Sequence, residues 1–396
     1  MRLLSILYFS PPSKVFGGTE RQMHSLHKGL LEQNIDVQVL ASISQVGSPY
    51  QVYEGVPIWG IKFPSLTHSG LHPMNVLLWL KRNRILKFVE ENIPKIDLIQ
   101  VTPFREPAFW GYWLSKRLKV PWLARLAGSR PNGDFNYMGN SLSRNVFTRR
   151  LIPSLIQTCS AVIAVDEETF KEAIDTGFGS DKVVVISNSV VLNQIPPVEL
   201  AKEIPKDGIF LFLGRIASGK RVSDLVEAYS ICKKKRGDVP GLIIVGGGEI
   251  ERLKNITKEL VVEDKVAILG QQRSVEKFLS RAVCMVNPSE SEGFPNSVLE
   301  ACAFGVPSIL SDIPVHRTIA SRIDMEKFLF PVGDVRLLAE KIMQFISLNA
   351  EEVREKRIRC AIFAKKYSKS TRDRAYAALY EKLIRESQMS KSYSHE

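Results

Sequence analysis

Short apolar runs alternate with helix-length segments along the whole chain, and this alternation restricts the possible folds more than any single motif does. In the first half the runs fall at 2–9, 36–42, 56–61, 97–101, 121–126, 160–165 and 182–187. Amphipathic stretches lie between several of them; within 19–33, Met23, Leu26, His27 and Leu30 follow the i, i+3, i+4, i+7 spacing of one helix face. Such succession is βαβ grammar, which implies a mostly parallel sheet with helices on its faces. At 192–208 the stretch LNQIPPVELAKEIPKDG is proline-rich, polar and aperiodic, and reads as an interdomain linker. The grammar then restarts with IFLFLG (209–214), GLIIVGGG (241–248), KVAILG (265–270), AVCMVNPS (282–289) and VPSILS (306–311). These near-continuous apolar runs are what strands buried on both faces require. Two long charged helices, about 334–366 with a break and 369–387, close the chain.

A chain of 396 residues is more than twice the ~150 usual for one domain, so two domains with separate cores are expected. Two doubly wound α/β domains in tandem set the carboxyl ends of two sheets across a cleft, and ligands bind outside those ends. Side chains that carry chemistry are then expected on the loops that follow strands.

The five cysteines, Cys159, Cys232, Cys284, Cys302 and Cys360, are scattered and never spaced as Cys-x-x-Cys. This argues against a disulfide framework or a zinc site and fits a reducing cytoplasm. The start MRLLSILYFSPPS has too short an apolar run for a secretory signal and no small-x-small cleavage site, so it reads as a buried first strand. No apolar run approaches the ~20 residues that span a bilayer. The formal charge of +12 is concentrated, with 14 Lys and Arg against 5 Asp and Glu in residues 81–150. No nucleic-acid motif accompanies this charge, and no nucleic-acid partner is expected. Trp110, Trp113 and Trp122 share the segment, which points to an anionic partner beside an apolar one.

The first run is followed by SPPSKVFGGTERQ, with Gly17 and Gly18 just before a helix. Paired glycines let backbone N–H groups approach a phosphate at the positive end of the helix; the plain alternative is a tight strand-to-helix turn. The first run of the second half is followed by LGRIASGKRVSDLVEA, which sets Arg215 and Lys220 at the mouth of the expected cleft. A guanidinium fork and an ammonium point charge suit a diphosphate, although either cation alone reads as an ordinary surface residue. VGGGEIER at 245–252 lies on a second strand and lacks the third glycine of G-x-G-x-x-G, so a dinucleotide is not expected. In SESEGFPNSVLEACAFGVP (289–307), Pro295 suits the first turn of a helix running 295–304 and stopped by Gly305-Val306-Pro307. Glu290 then reads as surface, Glu292 as the loop before the helix, and Glu300 as more than a turn inside it. The positive helix end lies between the last two.

Together these residues resemble the family 4 glycosyltransferases, retaining enzymes of the GT-B fold, over nearly the whole chain. The most specific part is Glu292 and Glu300 in EGFPNSVLE, followed by Ala301 to Pro307 as AxxxGxP; Arg215 with Lys220 comes next, then Gly17-Gly18-Thr19-Glu20. The resemblance implies an α/β chain of two Rossmann-like doubly wound domains facing across a cleft. Residues 1–191 would form the acceptor-side domain, joined again by the last helix at about 369–387. A linker at 192–208 would lead to a nucleotide-sugar-binding domain at 209–368. Arg215 and Lys220 would hold the diphosphate, Glu300 the ribose diol and Glu292 the hydroxyls of the donor sugar. The amides of Gly293, Phe294, Asn296 and Ser297 would contact sugar or phosphate, and Gly18, beside Gly17, would close over the diphosphate. The implied reaction is sugar transfer from a nucleotide sugar to a saccharide or a polyprenyl- or lipid-linked acceptor in cell-envelope polysaccharide or glycolipid biosynthesis. A GT-B sugar-nucleotide epimerase and a non-enzymatic two-domain sugar-binding protein are the alternatives. The chain has no Asp-x-Asp, and its histidines, His24, His27, His68, His72, His316 and His395, do not cluster; no metal and no cofactor are expected.

Three positions depart from the family pattern. Ala127 stands where many members carry a histidine, leaving Arg125, Ser129 and Asp134 as candidate acceptor-side substitutes. Arg221 follows Lys220 where glycine is common, and NSVV at 188–191 replaces the usual Asn-Gly-Val-Asp. The acceptor itself is expected on the first domain. There, a helix opened by Pro107 sets Phe109, Trp113 and Leu114 near one face, with Lys116, Arg117 and Lys119 towards its end. It reads either as a helix packed on the sheet with cations favoured at its C-terminus, or as an interfacial patch for an anionic membrane. The segment 73–92, with WLKRNRILKF, allows both readings as well. The expected setting is the cytoplasm, with association at the inner face of the membrane.

Overall fold

The computed structural model describes residues 1–8, 10–11, 17–62, 74–128, 133–137, 146–191, 196, 205 and 208–393. Most of the expected linker, and Ser129, lie outside them. The chain divides into two compact units, one of Met1–Asn188 with Lys369–Glu396 and one of Ser189–Ser368.

In the first unit the strands are β1 (Arg2–Leu7), β2 (Asp36–Ser42), β3 (Tyr50–Tyr53), β4 (Val56–Ile61), β5 (Leu98–Thr102), β6 (Trp122–Arg125), β7 (Ala161–Ala164) and β8 (Val183–Val185). They form one sheet in the order β3-β4-β2-β1-β5-β6-β7-β8. The alternation along β1 feeds two cores: Leu4 and Ile6 pack on one face, Leu3 and Leu7 on the other. Among the described residues only β3 pairs antiparallel, with β4. It escapes the apolar pattern because YQVY is an edge strand with Tyr50 and Val52 exposed.

The helix Glu106–Leu118 buries Phe109, Trp110 and Leu114 in the first of these cores. Its apolar face is thus spent on the sheet. At its far end Lys116 lies over the Tyr112 ring and Arg117 Nε donates to Glu90 at 2.8 Å. The helix Met74–Asn92 buries Ile85 and Val89 in the same core.

The helix Lys369–Tyr393 packs Tyr376, Leu379, Tyr380 and Leu383 on the second core, against Met23, Leu26 and Leu30 of the helix Gly18–Glu32. Polar contacts fix its register. The buried Arg372 pairs with Asp373 at 2.7 Å and also donates to Gln22 Oε1 at 3.0 Å and Ser25 Oγ at 3.2 Å. Tyr380 donates to Gln100.

The second unit holds β9 (Ile209–Leu213), β10 (Leu242–Val245), β11 (Val266–Ile268), β12 (Ala282–Asn287), β13 (Ser308–Ser311) and β14 (Leu329–Phe330). The order is β11-β10-β9-β12-β13-β14, every pair parallel. From β9 the chain winds outward through β10 and β11, then returns to the other side of β9 as β12. The topological switch point, where ligands bind in such sheets, therefore lies between β9 and β12. The expected break in 334–366 is a capped restart: Asn349 Oδ1 accepts from the amides of Glu351 and Glu352 at 2.9 and 3.0 Å, opening the helix Ala350–Lys365.

Candidate active site

Lys220 and Glu292 meet at the switch point of the second unit. Lys220 ends the short turn Ser218–Lys220 after β9, Glu292 lies in the loop after β12, and Lys220 Nζ stands 2.6 Å from Glu292 Oε1. The same carboxylate oxygen accepts from Ser289 Oγ at 2.8 Å and Asn287 Nδ2 at 3.3 Å. Burial works to raise the Glu292 pKa, but the charge and hydrogen bond of Lys220, with His316 and the Ser289 hydroxyl, outweigh it and hold the carboxyl below its ordinary value.

A further layer sits beneath. Ser311 Oγ donates to the Ser289 carbonyl at 2.6 Å. The fully buried His316, on the helix Pro314–Ile323, places Nδ1 3.0 Å from the Ser311 carbonyl and 3.1 Å from its hydroxyl. None of Asn287, Ser289, Ser311 or His316 was expected from the sequence. Only Ser289, closing the AVCMVNPS run at a strand's carboxyl end, carried a positional signal; His316 looked isolated because the fold, not the chain, brings it to Glu292.

Arg215 follows β9 and is exposed. Its loop is clamped by the glycine run after β10. Ile216 N donates to the Gly247 carbonyl at 2.8 Å and Glu249 N to the Ile216 carbonyl at 2.9 Å. Gly246 and Gly248 have φ of 156° and 128°, and a Cβ on either would strike the carbonyl oxygen of Gly214 or Ile216. The run therefore serves close backbone approach. Arg221 is left-handed, with φ 48° and ψ 37°, so glycine would suit this position; the strain costs an arginine about 1 kcal/mol. Its Nε reaches Asp224 at 2.7 Å.

The helix expected at 295–304 runs Asn296–Ala303, with Pro295 one place earlier than expected, at the N-cap. Gly293 and Phe294 lead into it, the Phe294 ring 4.9 Å from that of Tyr367. Asn296 and Ser297 form its first turn, and Glu300 is buried within it. An open groove of about 700 Å³ lies after β10 and β11 in the same unit, lined by Gly248, Glu249, Ile250, Arg252, Leu269 and Gly270.

The remaining candidates lie in the first unit. Gly17 caps the helix Gly18–Glu32, its amide donating to Glu20 Oε2 at 2.9 Å. Arg125 is buried, donating to the Tyr376 hydroxyl at 3.1 Å, the Leu126 carbonyl at 3.2 Å and Asn188 Oδ1. The fully buried Asp134 accepts from Arg105 Nε at 2.8 Å and from the Ala127 amide at 2.7 Å. Both side chains thus brace the stretch that carries Ala127. Among the described residues no cluster of three or more His, Cys, Asp or Glu could hold a metal ion.

The buried imidazoles set an acid response. Burial is the main cause holding His316 down at about 4, against the opposite pull of Glu292. Burial, then His24 and Arg372, hold His27, whose Nε2 lies 2.9 Å from Ser5 Oγ, at about 3. A histidine whose pKa is lower folded than unfolded contributes stability that is complete above about pH 6.5 and is lost as pH falls towards the folded value. Each group should cost its unit about 2 kcal/mol at pH 5. Urea midpoints measured between pH 7 and 5 should fall in the wild type and fall less in His27→Gln; equal slopes in the two proteins would refute the assignment.

Both halves of the chain match known families. Residues 16–194 match the family described as Glycosyltransferase Family 4, and 199–367 the one described as Glycosyl transferases group 1. An uncharacterized glycosyltransferase of Haemophilus influenzae is 30% identical over 175 residues, 44% of this chain and 47% of that protein. The O-antigen chain mannosyltransferase RfbU of Salmonella typhimurium is 28% identical over 187 residues, 46% of this chain and 51% of its own. The chain thus spans about half the length of these curated relatives. In fold it is similar to Anabaena HepE, solved with UDP and glucose, at a TM-score of 0.71 and 15% identity over 96% of this chain and 100% of that one. A sucrose-phosphate synthase of Thermosynechococcus elongatus gives a TM-score of 0.75 at 19% identity, over 97% and 99% of the two chains.

Proposed function

The chain belongs to the glycosyltransferases of the GT-B fold related to family 4 and group 1, and we propose that it moves a sugar from a nucleotide-sugar donor to a saccharide or lipid-linked acceptor with retained anomeric configuration. The contact of Lys220 with Glu292 across the switch point of the second unit carries this reading. Departure of the nucleotide loads negative charge on a diphosphate while positive charge develops at the sugar carbon. Cations already fixed at the leaving group are then the largest available catalytic contribution.

In this reading Arg215 and Lys220 take the diphosphate in place of a metal ion, Glu292 the sugar hydroxyls and Glu300 the ribose diol. The amides of Gly293, Phe294, Asn296 and Ser297 line the sugar and phosphate, and the groove beside Gly248 and Leu269 has room for a nucleoside. The first unit serves the acceptor side, while its Gly17 and Gly18 bind the donor diphosphate. O-antigen and lipopolysaccharide transferases among the relatives support a cell-envelope product. The five free cysteines are all buried, which agrees with a cytoplasmic setting. Among the described residues no helix is long and apolar enough to cross a membrane. Membrane contact would rest on the exposed cations of residues 81–150 rather than on insertion of the buried Phe109, Trp110 and Leu114, and would weaken with salt.

A thermal-shift screen of UDP-, GDP- and ADP-sugars tests the donor. A ligand at 100 times its Kd adds about 2.7 kcal/mol to stability, so one nucleotide class should raise the melting temperature at millimolar concentration. No shift with any of the three would remove the donor assignment.

A further inference from the structure

We propose that His316 is a positioning residue of the donor site that takes over from Lys220 as counter-charge of Glu292, binding a proton from solvent at Nε2 when a nucleoside diphosphate engages the lysine. The inference rests on the donor reading above. It starts from the tautomer. The Ser311 carbonyl can only accept, so the Nδ1 that faces it at 3.0 Å carries the ring proton. The Ser311 hydroxyl gives its own proton to the Ser289 carbonyl at 2.6 Å and accepts from Nδ1 as well. Nε2 is left with a bare lone pair, fully buried and with no hydrogen-bond partner among the described residues. An unpaired buried acceptor costs stability, and so calls for a state in which it is used.

The charges around the ring supply that state. Glu292, from the loop after β12, and Lys220, from the turn after β9, act on the imidazole with opposite sign, and the ring stays neutral while the two are paired. Several other charges on adjoining elements are engaged elsewhere. On its own helix Arg317 pairs with Asp312 at 2.5 Å, and on the packed helix Ala350–Lys365, Lys356 pairs with Asp324 at 2.9 Å while Arg357 donates to the carbonyls of Ala282 and Phe304. When a diphosphate draws Lys220 away, the positive charge that opposed protonation recedes, and Glu292 remains buried with less compensation. Both changes favour the imidazolium. One proton moves from water to Nε2, and the carboxylate stays ionised and in place for the donor sugar.

Binding and proton uptake are then linked. Affinity for the diphosphate should rise as pH falls, by up to tenfold per pH unit, roughly the limiting slope for one proton. Calorimetric titration of the full chain with UDP, GDP and ADP, at about pH 6.5 in two buffers of different ionisation enthalpy, reads the uptake directly. His316→Gln keeps an N–H donor for Ser311 and cannot be protonated. The wild type should take up a fraction of a proton more than this variant per nucleotide bound, and the variant's affinity should lose its extra pH dependence. Comparing the two proteins removes the nucleotide's own titration, and the wild-type buffer dependence stands even if the variant folds poorly. Binding with the same proton count in both proteins, or with no uptake by the wild type, overturns the role of His316 and leaves the donor reading intact. Absence of binding by all three nucleotides overturns the donor reading and this inference with it.

Discussion

Lys220→Ala should lower kcat roughly 100- to 1000-fold, about 3 to 4 kcal/mol of transition-state stabilisation, as for deletion of other preorganised charge-stabilising donors. The lysine sits at the switch point on a three-residue turn, already drawn by Glu292 to a defined place. Once the bound diphosphate has engaged it, its charge is in place before the leaving group develops its own, and no further reorganisation is needed during the reaction. The effect on folding should be small by comparison. The side chains of Lys220 and Glu292 are 29% and 14% exposed, so solvent screens the pair only in part, and its loss should cost about 1 to 2 kcal/mol. Initial rates with saturating donor, beside a urea denaturation curve, separate the two effects. Wild-type activity in the variant would sink the diphosphate role of Lys220, and unfolding would show that the pair is structural.

The second large effect is on stability. Gly246→Ala should destabilise the second unit by about 3 to 4 kcal/mol, the sum of a disfavoured φ and an overpacked backbone contact. Gly246 has φ 156°, and the new methyl would be aimed at the Gly214 carbonyl oxygen, which belongs to the chain and cannot rotate aside as a side chain would. Relief requires the loop bearing Arg215 to move, so donor affinity should fall with stability. The adjacent Gly247 is the control. A Cβ there meets nothing nearer than the Gln271 side chain at 3.6 Å, and Gly247→Ala should fall within about 0.5 kcal/mol of wild type. Equal urea midpoints for the two variants would show that the close approach does not constrain the unit.

The contrast between these neighbouring glycines marks how far the sequence could be read. Buried parallel strands were legible because β9 (IFLFL) and β12 (AVCMVN) are unbroken apolar runs, whereas the polar edge strand β3 and the two-residue β14 are too weakly patterned or too short. The places of Arg215, Lys220 and Glu292 on loops after strands, and of Glu300 inside the helix that follows, were legible because apolar runs and Pro295 mark those boundaries. The residues that hold Glu292 were not. Ser311 and His316, from β13 and the following helix, support it through the Ser289 carbonyl, and no spacing in the chain encodes a contact made across neighbouring strands. Arg125 and Asp134 were candidate acceptor-side substitutes because they lie near Ala127, where many family members carry a histidine; the structure buries both in hydrogen bonds within the first unit.

The central claim is sugar transfer from a nucleotide sugar. It is tested most directly by incubating the protein with radiolabelled UDP-, GDP- and ADP-sugars and a bacterial lipid-linked saccharide extract, then following label and nucleotide together. The account predicts label in the saccharide, one nucleoside diphosphate released per sugar moved, and a product anomer matching that of the donor. Conversion of the nucleotide sugar to its epimer without acceptor, or bound donor that stays intact with every acceptor, would contradict it.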